Sequence, residues 1–150
     1  MINFNYLGKN YGNAIQAAIK SLREKLSKMP VETYGQYLSA CEKYLNTSGE
    51  IKIVAKSRVP WSKVISHYEN GTIYYNPRKF RVMSEAEIAS NFAHEAFHYL
   101  DYRHDYDWNP NRKFSIPYFI GYWVEYYLES LKKGESPESV KFLTNLNRIK

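Results

Sequence analysis

Residues 84–104 read Ser-Glu-Ala-Glu-Ile-Ala-Ser-Asn-Phe-Ala-His-Glu-Ala-Phe-His-Tyr-Leu-Asp-Tyr-Arg-His, and their spacing predicts a long helix from Ser84 to about Tyr102. Ser84 followed by Glu87 is the signature of a capping box at a helix start. Ala86, Ile88, Ala89, Phe92, Ala93, Ala96, Phe97 and Leu100 then supply a wide apolar stripe, and no Pro or Gly interrupts residues 84–101. On such a helix His94 and His98 lie one turn apart on the same face. Two imidazoles at that separation reach one tetrahedral Zn²⁺. Glu95 stands beside them, where a carboxylate takes a proton from a water that zinc has made acidic near neutrality.

A hydrolytic zinc site needs a third protein ligand and an open fourth position. His104, ten residues after His94 and six after His98, is the favoured candidate. In an unbroken helix it would sit about 240° around from His98, so ligation by His104 requires the helix to stop near Asp101. Asp tolerates left-handed backbone better than most residues other than Gly. Glu125, in the apolar and aromatic stretch Tyr118–Leu131, is the rival third ligand. Its other readings are an acceptor that orients a ligand histidine or a solvated helix face. Asp101, Asp105 and Asp107 are minor candidates.

The pattern His94-Glu95-x-x-His98-x-x-Asp101-x-x-His104 resembles the metzincin metallopeptidases, whose motif reads HExxHxxGxxH. Asp101 stands where that family has Gly, and none of Met1, Met29 and Met83 follows the helix to make the family's Met-turn. The stretch from His94 to Trp108, followed by Ser115-Ile116-Pro117-Tyr118-Phe119-Ile120-Gly121-Tyr122, also resembles small predicted zinc peptidases of phages and bacteria over roughly residues 70–128. A ligand at Glu125 would instead resemble the gluzincins. These resemblances imply an α+β fold of minimal zincin type, a small mixed sheet with a hairpin packed on the motif helix and further helices around it.

The rest of the chain suits that expectation. One domain over residues 1–150 is the size prior. The apolar fraction of 44% suffices for one core, and fifteen tyrosines add amphipathic surface. Helices are predicted at 12–28, from Pro30 to about Leu45, at 117–133 ending at Gly134, and as a short last one that Ser136-Pro137-Glu138-Ser139 starts and that runs to about 147. Strands are predicted at 51–55, 64–68 and 72–75, the last two joined through Glu69-Asn70-Gly71, where Asn-Gly is a strong hairpin signal. In a minimal zincin such a hairpin supplies the edge strand that holds an extended peptide by main-chain bonds. His67 falls on it and reads as a surface or core-satisfied histidine. Cys41 is the single cysteine, which excludes an intrachain disulfide and a cysteine zinc cluster and reads as a small core filler.

The net charge of +6 is scattered along the chain, as solvated surface is, rather than gathered into a nucleic-acid stripe. The N-terminus lacks a basic and an apolar signal region, and no run is long enough to cross a membrane. The expectation is a cytoplasmic protein, or a virus-encoded one acting in a host cytoplasm, monomeric and with a peptide or protein substrate. The leading reading is a zinc-dependent endopeptidase: His94, His98 and His104 hold Zn²⁺, Glu95 is the general base, and Tyr118 donates to the oxyanion, with Tyr106, Tyr122 and Arg112 as alternatives. The competing reading is a basic binding module for nucleic acid or protein, in which Asp101 or Glu125 closes a structural zinc site and no hydrolysis occurs. A mixed reading, a protease acting on DNA-bound proteins, resembles the SprT-like family, whose cysteine zinc ribbon this chain lacks.

Overall fold

The computed structural model describes residues 1–149. At the N-terminus β1 (Ile2–Asn3) pairs in parallel with β4 (Gly49–Glu50), while β2 (Asn5–Tyr6) and β3 (Lys9–Asn10) form a tight hairpin. These two-residue strands carry no readable alternation, and the sequence pattern does not announce them. Their role is to bury Ile2 and Phe4 completely and to stack Phe4 on Phe92.

Two helices follow, α1 (Gly12–Leu26) and α2 (Val31–Leu45), with Ile15, Ala18, Ile19, Leu22 and Leu26 on the buried face of α1. Next comes a three-stranded mixed sheet: β5 (Lys52–Ala55) parallel to β7 (Thr72–Tyr75), and β6 (Ser66–Glu69) antiparallel to β7. The β6–β7 turn places Asn70 at φ 48° and Gly71 at φ 82°. Two successive positive φ values are what a type I′ hairpin turn demands, and Asn-Gly meets that demand with least strain. After one short helical turn, α3 (Pro77–Phe80), the motif helix α4 spans Glu85–Tyr99, followed by α5 (Ile116–Lys132) and α6 (Ser139–Arg148). The architecture is α+β.

Helix α4 lies at the centre, packed against α5, α1 and β6. Both members of its capping box are present, Ser84 Oγ accepting from the Glu87 N–H and Glu87 Oε1 accepting from the Ser84 N–H, each at 3.1 Å. The α4–α5 contact is close because Gly121 faces Ser90, whose hydroxyl donates to the Gly121 carbonyl at 2.7 Å. Tyr118 meets His94 on one side of this crossing, so the two helices run antiparallel. Trp123, fully buried, ties α5 to α1 by donating its indole N–H to the Ala18 carbonyl at 2.8 Å. One apolar core joins residues from α1, α2, α4, α5, α6 and the sheet, with Cys41 buried in it and its thiol pushed up to about 12 by burial.

A Cβ at Gly121 would meet the Ser90 carbonyl oxygen at 3.2 Å, a backbone atom that cannot swing away. Gly121→Val therefore forces the helices apart, and chemical denaturation should report a loss of about 1–3 kcal/mol, the usual cost of overpacking.

Candidate metal centre

The site is built where α4 stops. Leu100 N–H still bonds the Ala96 carbonyl, but Asp101 turns to φ 71°, its N–H bonding His98 O at 3.0 Å, and Tyr102 N–H reaches back to Phe97 O at 2.9 Å. This is a Schellman closure, with the customary apolar contact supplied by the Phe97 and Tyr102 rings. Lys43 of α2 donates to the carbonyl of Leu100 at 2.7 Å, adding a cation at the negative end of the helix. The left-handed residue reverses the chain, and His104 comes back over the histidines of α4.

The three imidazoles converge. His94 Nε2 lies 3.1 Å from His104 Nε2 and 3.2 Å from His98 Nε2. The other ring nitrogen of His98 bonds the Tyr102 carbonyl at 2.9 Å and that of His104 bonds the Asp105 carbonyl at 2.9 Å. Carbonyls accept only, so Nδ1 of His98 and of His104 carries the proton and each leaves an Nε2 lone pair facing the cluster. Facing lone pairs repel unless a cation lies between them. Burial, followed by the other imidazoles and Arg112, drives His94 far below the ordinary imidazole range. His98 and His104 are lowered as well, each chiefly by burial. The three are thus neutral, converging nitrogen donors, and they could hold a metal ion.

Glu95 is 4% exposed, and its Oε1 lies 3.9 Å from both His94 Nε2 and His98 Nε2. Its other oxygen accepts from the Ser66 hydroxyl at 3.0 Å, and the same hydroxyl rests against the Asn91 side-chain oxygen. Burial pushes the Glu95 carboxyl up to about 7, with the Ser66 bond opposing. A cation held by the histidines acts in the same sense as that bond and favours the carboxylate. Tyr118 opens α5 behind Pro117 and lays its ring against His94 and His104, at centroid separations of 4.4 and 4.7 Å.

The structure thus gathers His94, His98, His104, Glu95 and Tyr118, and sets the other candidates apart. Glu125 does not join the histidine group; burial, followed by Glu129 on its own helix and Glu87 on α4, raises it to about 7. Asp101 is exposed, and Asp105 offers its carbonyl to His104 while its carboxylate accepts from Asn109. Tyr106 is exposed beside His104, and Tyr122 stacks on Tyr118. His67 lies on the opposite face of β6 from Ser66, bonded to Arg58 and stacked on Tyr74. Ser66 itself is what sequence reasoning missed. It shares a strand face with Tyr68, which packs on Tyr99 of α4, so a small polar residue in the inward register of the hairpin was the available signal. No family model, curated protein or solved structure matches the chain.

Two measurements probe this geometry. His104→Ala should weaken metal binding, probed with Zn²⁺ in competition with a chelator, by more than the roughly 10–100-fold typical of losing an outer partner, whereas Glu125→Ala should leave it unchanged. Asp101→Val should weaken it too and lower stability by about 1–2 kcal/mol, the cost of left-handed backbone in an ordinary residue, while Asp101→Gly keeps both.

Glu125 gives a pH signature. Its carboxyl, at about 7 in the folded chain against an ordinary 4.5, keeps its proton where the unfolded chain has lost it, so it lowers stability as pH rises through that window. Glu125→Gln should therefore be neutral at pH 4 and stabilising by roughly 1–2 kcal/mol at pH 8, discounted for partial exposure. Equal effects at both pH values would contradict the assignment.

Proposed function

We propose that this protein is a zinc-dependent peptidase, with His94, His98 and His104 as the metal ligands and Glu95 as the general base. The observation that carries the reading is the convergence of three neutral imidazole nitrogens with a buried carboxylate oxygen 3.9 Å from two of them. Three histidines leave a tetrahedral metal one open position, and zinc suits an all-imidazole set. A closed structural site needs a fourth protein ligand, and neither Asp101 nor Glu125 joins the group.

Bound Zn²⁺ would supply Lewis acidity at the substrate carbonyl and lower the pKa of a coordinated water. The chain's own groups do the rest. Glu95 takes the proton released as the water oxygen bonds the carbonyl carbon, holds it on Oε1, and delivers it to the amine nitrogen as the C–N bond breaks. Ser66 anchors Oε2, so the carboxylate turns one oxygen to the reacting centre. The Tyr118 phenol donates to the carbonyl oxygen as it gains charge. Among the described residues β6 pairs only with β7, which leaves its outer edge to align an extended peptide beside Glu95. No helix of the described residues is long and apolar enough to cross a membrane.

The test is cleavage of a quenched peptide library by zinc-loaded protein, with new amino termini read by mass spectrometry. Glu95→Gln keeps the side chain's shape and should lower turnover by about 10²–10⁴ while retaining one zinc per chain. Loss of zinc from that variant would make Glu95 a ligand. A zinc-loaded wild-type protein that cleaves nothing in the library would overturn the reading.

A further inference from the structure

Beside the three histidines the structure holds a cavity of about 100 Å³, lined in part by Trp108, Asn109, Arg112, Lys113, Tyr118 and Tyr122. Tyr118 is the shared wall. One edge of its ring contacts His94 and His104, and the Arg112 guanidinium lies over the ring at 4.8 Å. The 3-10 turn Arg112–Phe114, just before α5, places both Arg112 and Lys113 in the lining. Lys113 spends its ammonium on the carbonyls of Asn147 and Ile149. Arg112 does not have such partners: its Nε is buried with no hydrogen-bond acceptor, and among the described residues no carboxylate pairs with its charge.

A guanidinium with no carboxylate partner at the wall of a cavity suits an anion with planar, paired oxygens that meet its terminal N–H groups. The lining carries two cations and no acidic side chain, and it offers aromatic walls for a short aliphatic stem. The volume is several water molecules' worth, enough for a carboxymethyl or carboxyethyl group and too small for a large ring system.

Building on the peptidase reading above, we infer that this cavity is a substrate subsite that takes a carboxylate, with Arg112 as its specificity-determining residue. The carboxylate is either the free C-terminus of a peptide or an acidic side chain next to the scissile bond. Both present the same two oxygens to the guanidinium, and Tyr118 sets the spacing between that group and the reacting carbonyl.

The experiment measures binding rather than turnover, using zinc-loaded protein and three short peptide hydroxamates titrated calorimetrically. One carries a free C-terminal carboxylate, one a glutamate side chain with an amidated end, and one a glutamine with an amidated end. Wild-type protein should bind one of the two carboxylate probes at least about tenfold more tightly than the neutral probe, about 1.4 kcal/mol, and the preferred probe identifies the carboxylate's source. Arg112→Gln should bring the ratio to near one, and Arg112→Lys should retain part of it. Equal wild-type affinity for all three probes, with zinc-dependent binding intact, overturns the subsite and leaves the peptidase reading standing. Failure of every probe to bind the zinc-loaded protein removes the metal-centre reading, and the subsite with it.

Discussion

Helix α4 cannot run on through His104 and still present three imidazoles to one point, because six further residues of helix would carry that ring about 240° around the axis. The left-handed conformation of Asp101 is the constraint on which the site depends. It ends the helix with two backbone bonds, lets Lys43 reach the last carbonyl, and reverses the chain within three residues. The end of α5 uses the same closure with glycine in the same position, Gly134 at φ 73°. At α4 the chain accepts the strain of a side chain there, and the returning loop supplies both a third imidazole and the carbonyls that orient two of them.

Burial decides the chemistry of what is gathered. A carboxylate, three imidazoles and a phenol lie against a helix whose other face is aromatic core, and each is desolvated to some extent. For the histidines, desolvation favours the neutral form, which is the form that donates a lone pair to a metal. For Glu95 it favours the protonated form, opposed by the Ser66 bond. The same environment therefore prepares ligands and base in complementary ways: the donors are ready for a cation, and the carboxylate gains most from one. Glu125, also raised but outside the histidine group, shows that burial of an acid does not by itself make a site.

The packing that achieves this uses small residues and short elements. Gly121 lets α5 approach α4 closely enough for Ser90 to bond its carbonyl, and that approach carries Tyr118 onto His94. The β6–β7 hairpin holds Ser66 against Glu95 because the Asn70-Gly71 turn sets the strand register, and register decides which residues face the helix. The N-terminal strands, two residues each, work differently. They bury Ile2 and Phe4 and stack Phe4 on Phe92 of α4.

The α+β class, helices placed at 12–28, 30–45, 84–102 and 117–133 to within a few residues of their observed ends, the hairpin and the candidate residues His94, Glu95, His98 and His104 were all legible in the sequence, since each rests on spacing within a few residues. A capping box spans three positions, an i,i+4 pair spans one turn, and an Asn-Gly hairpin is closed by two backbone angles. Even the need for a break near Asp101 follows from helical pitch. Other features depend on groups far apart in the chain. Ser66 meets Glu95 across 29 residues, and Glu125 of α5 lies near Glu87 of α4 rather than joining the histidines. No local pattern encodes those pairings, because they follow from how closely and in what register packed elements meet. The shifted proton affinities of Glu95 and the histidines likewise arise only when distant elements exclude water from them.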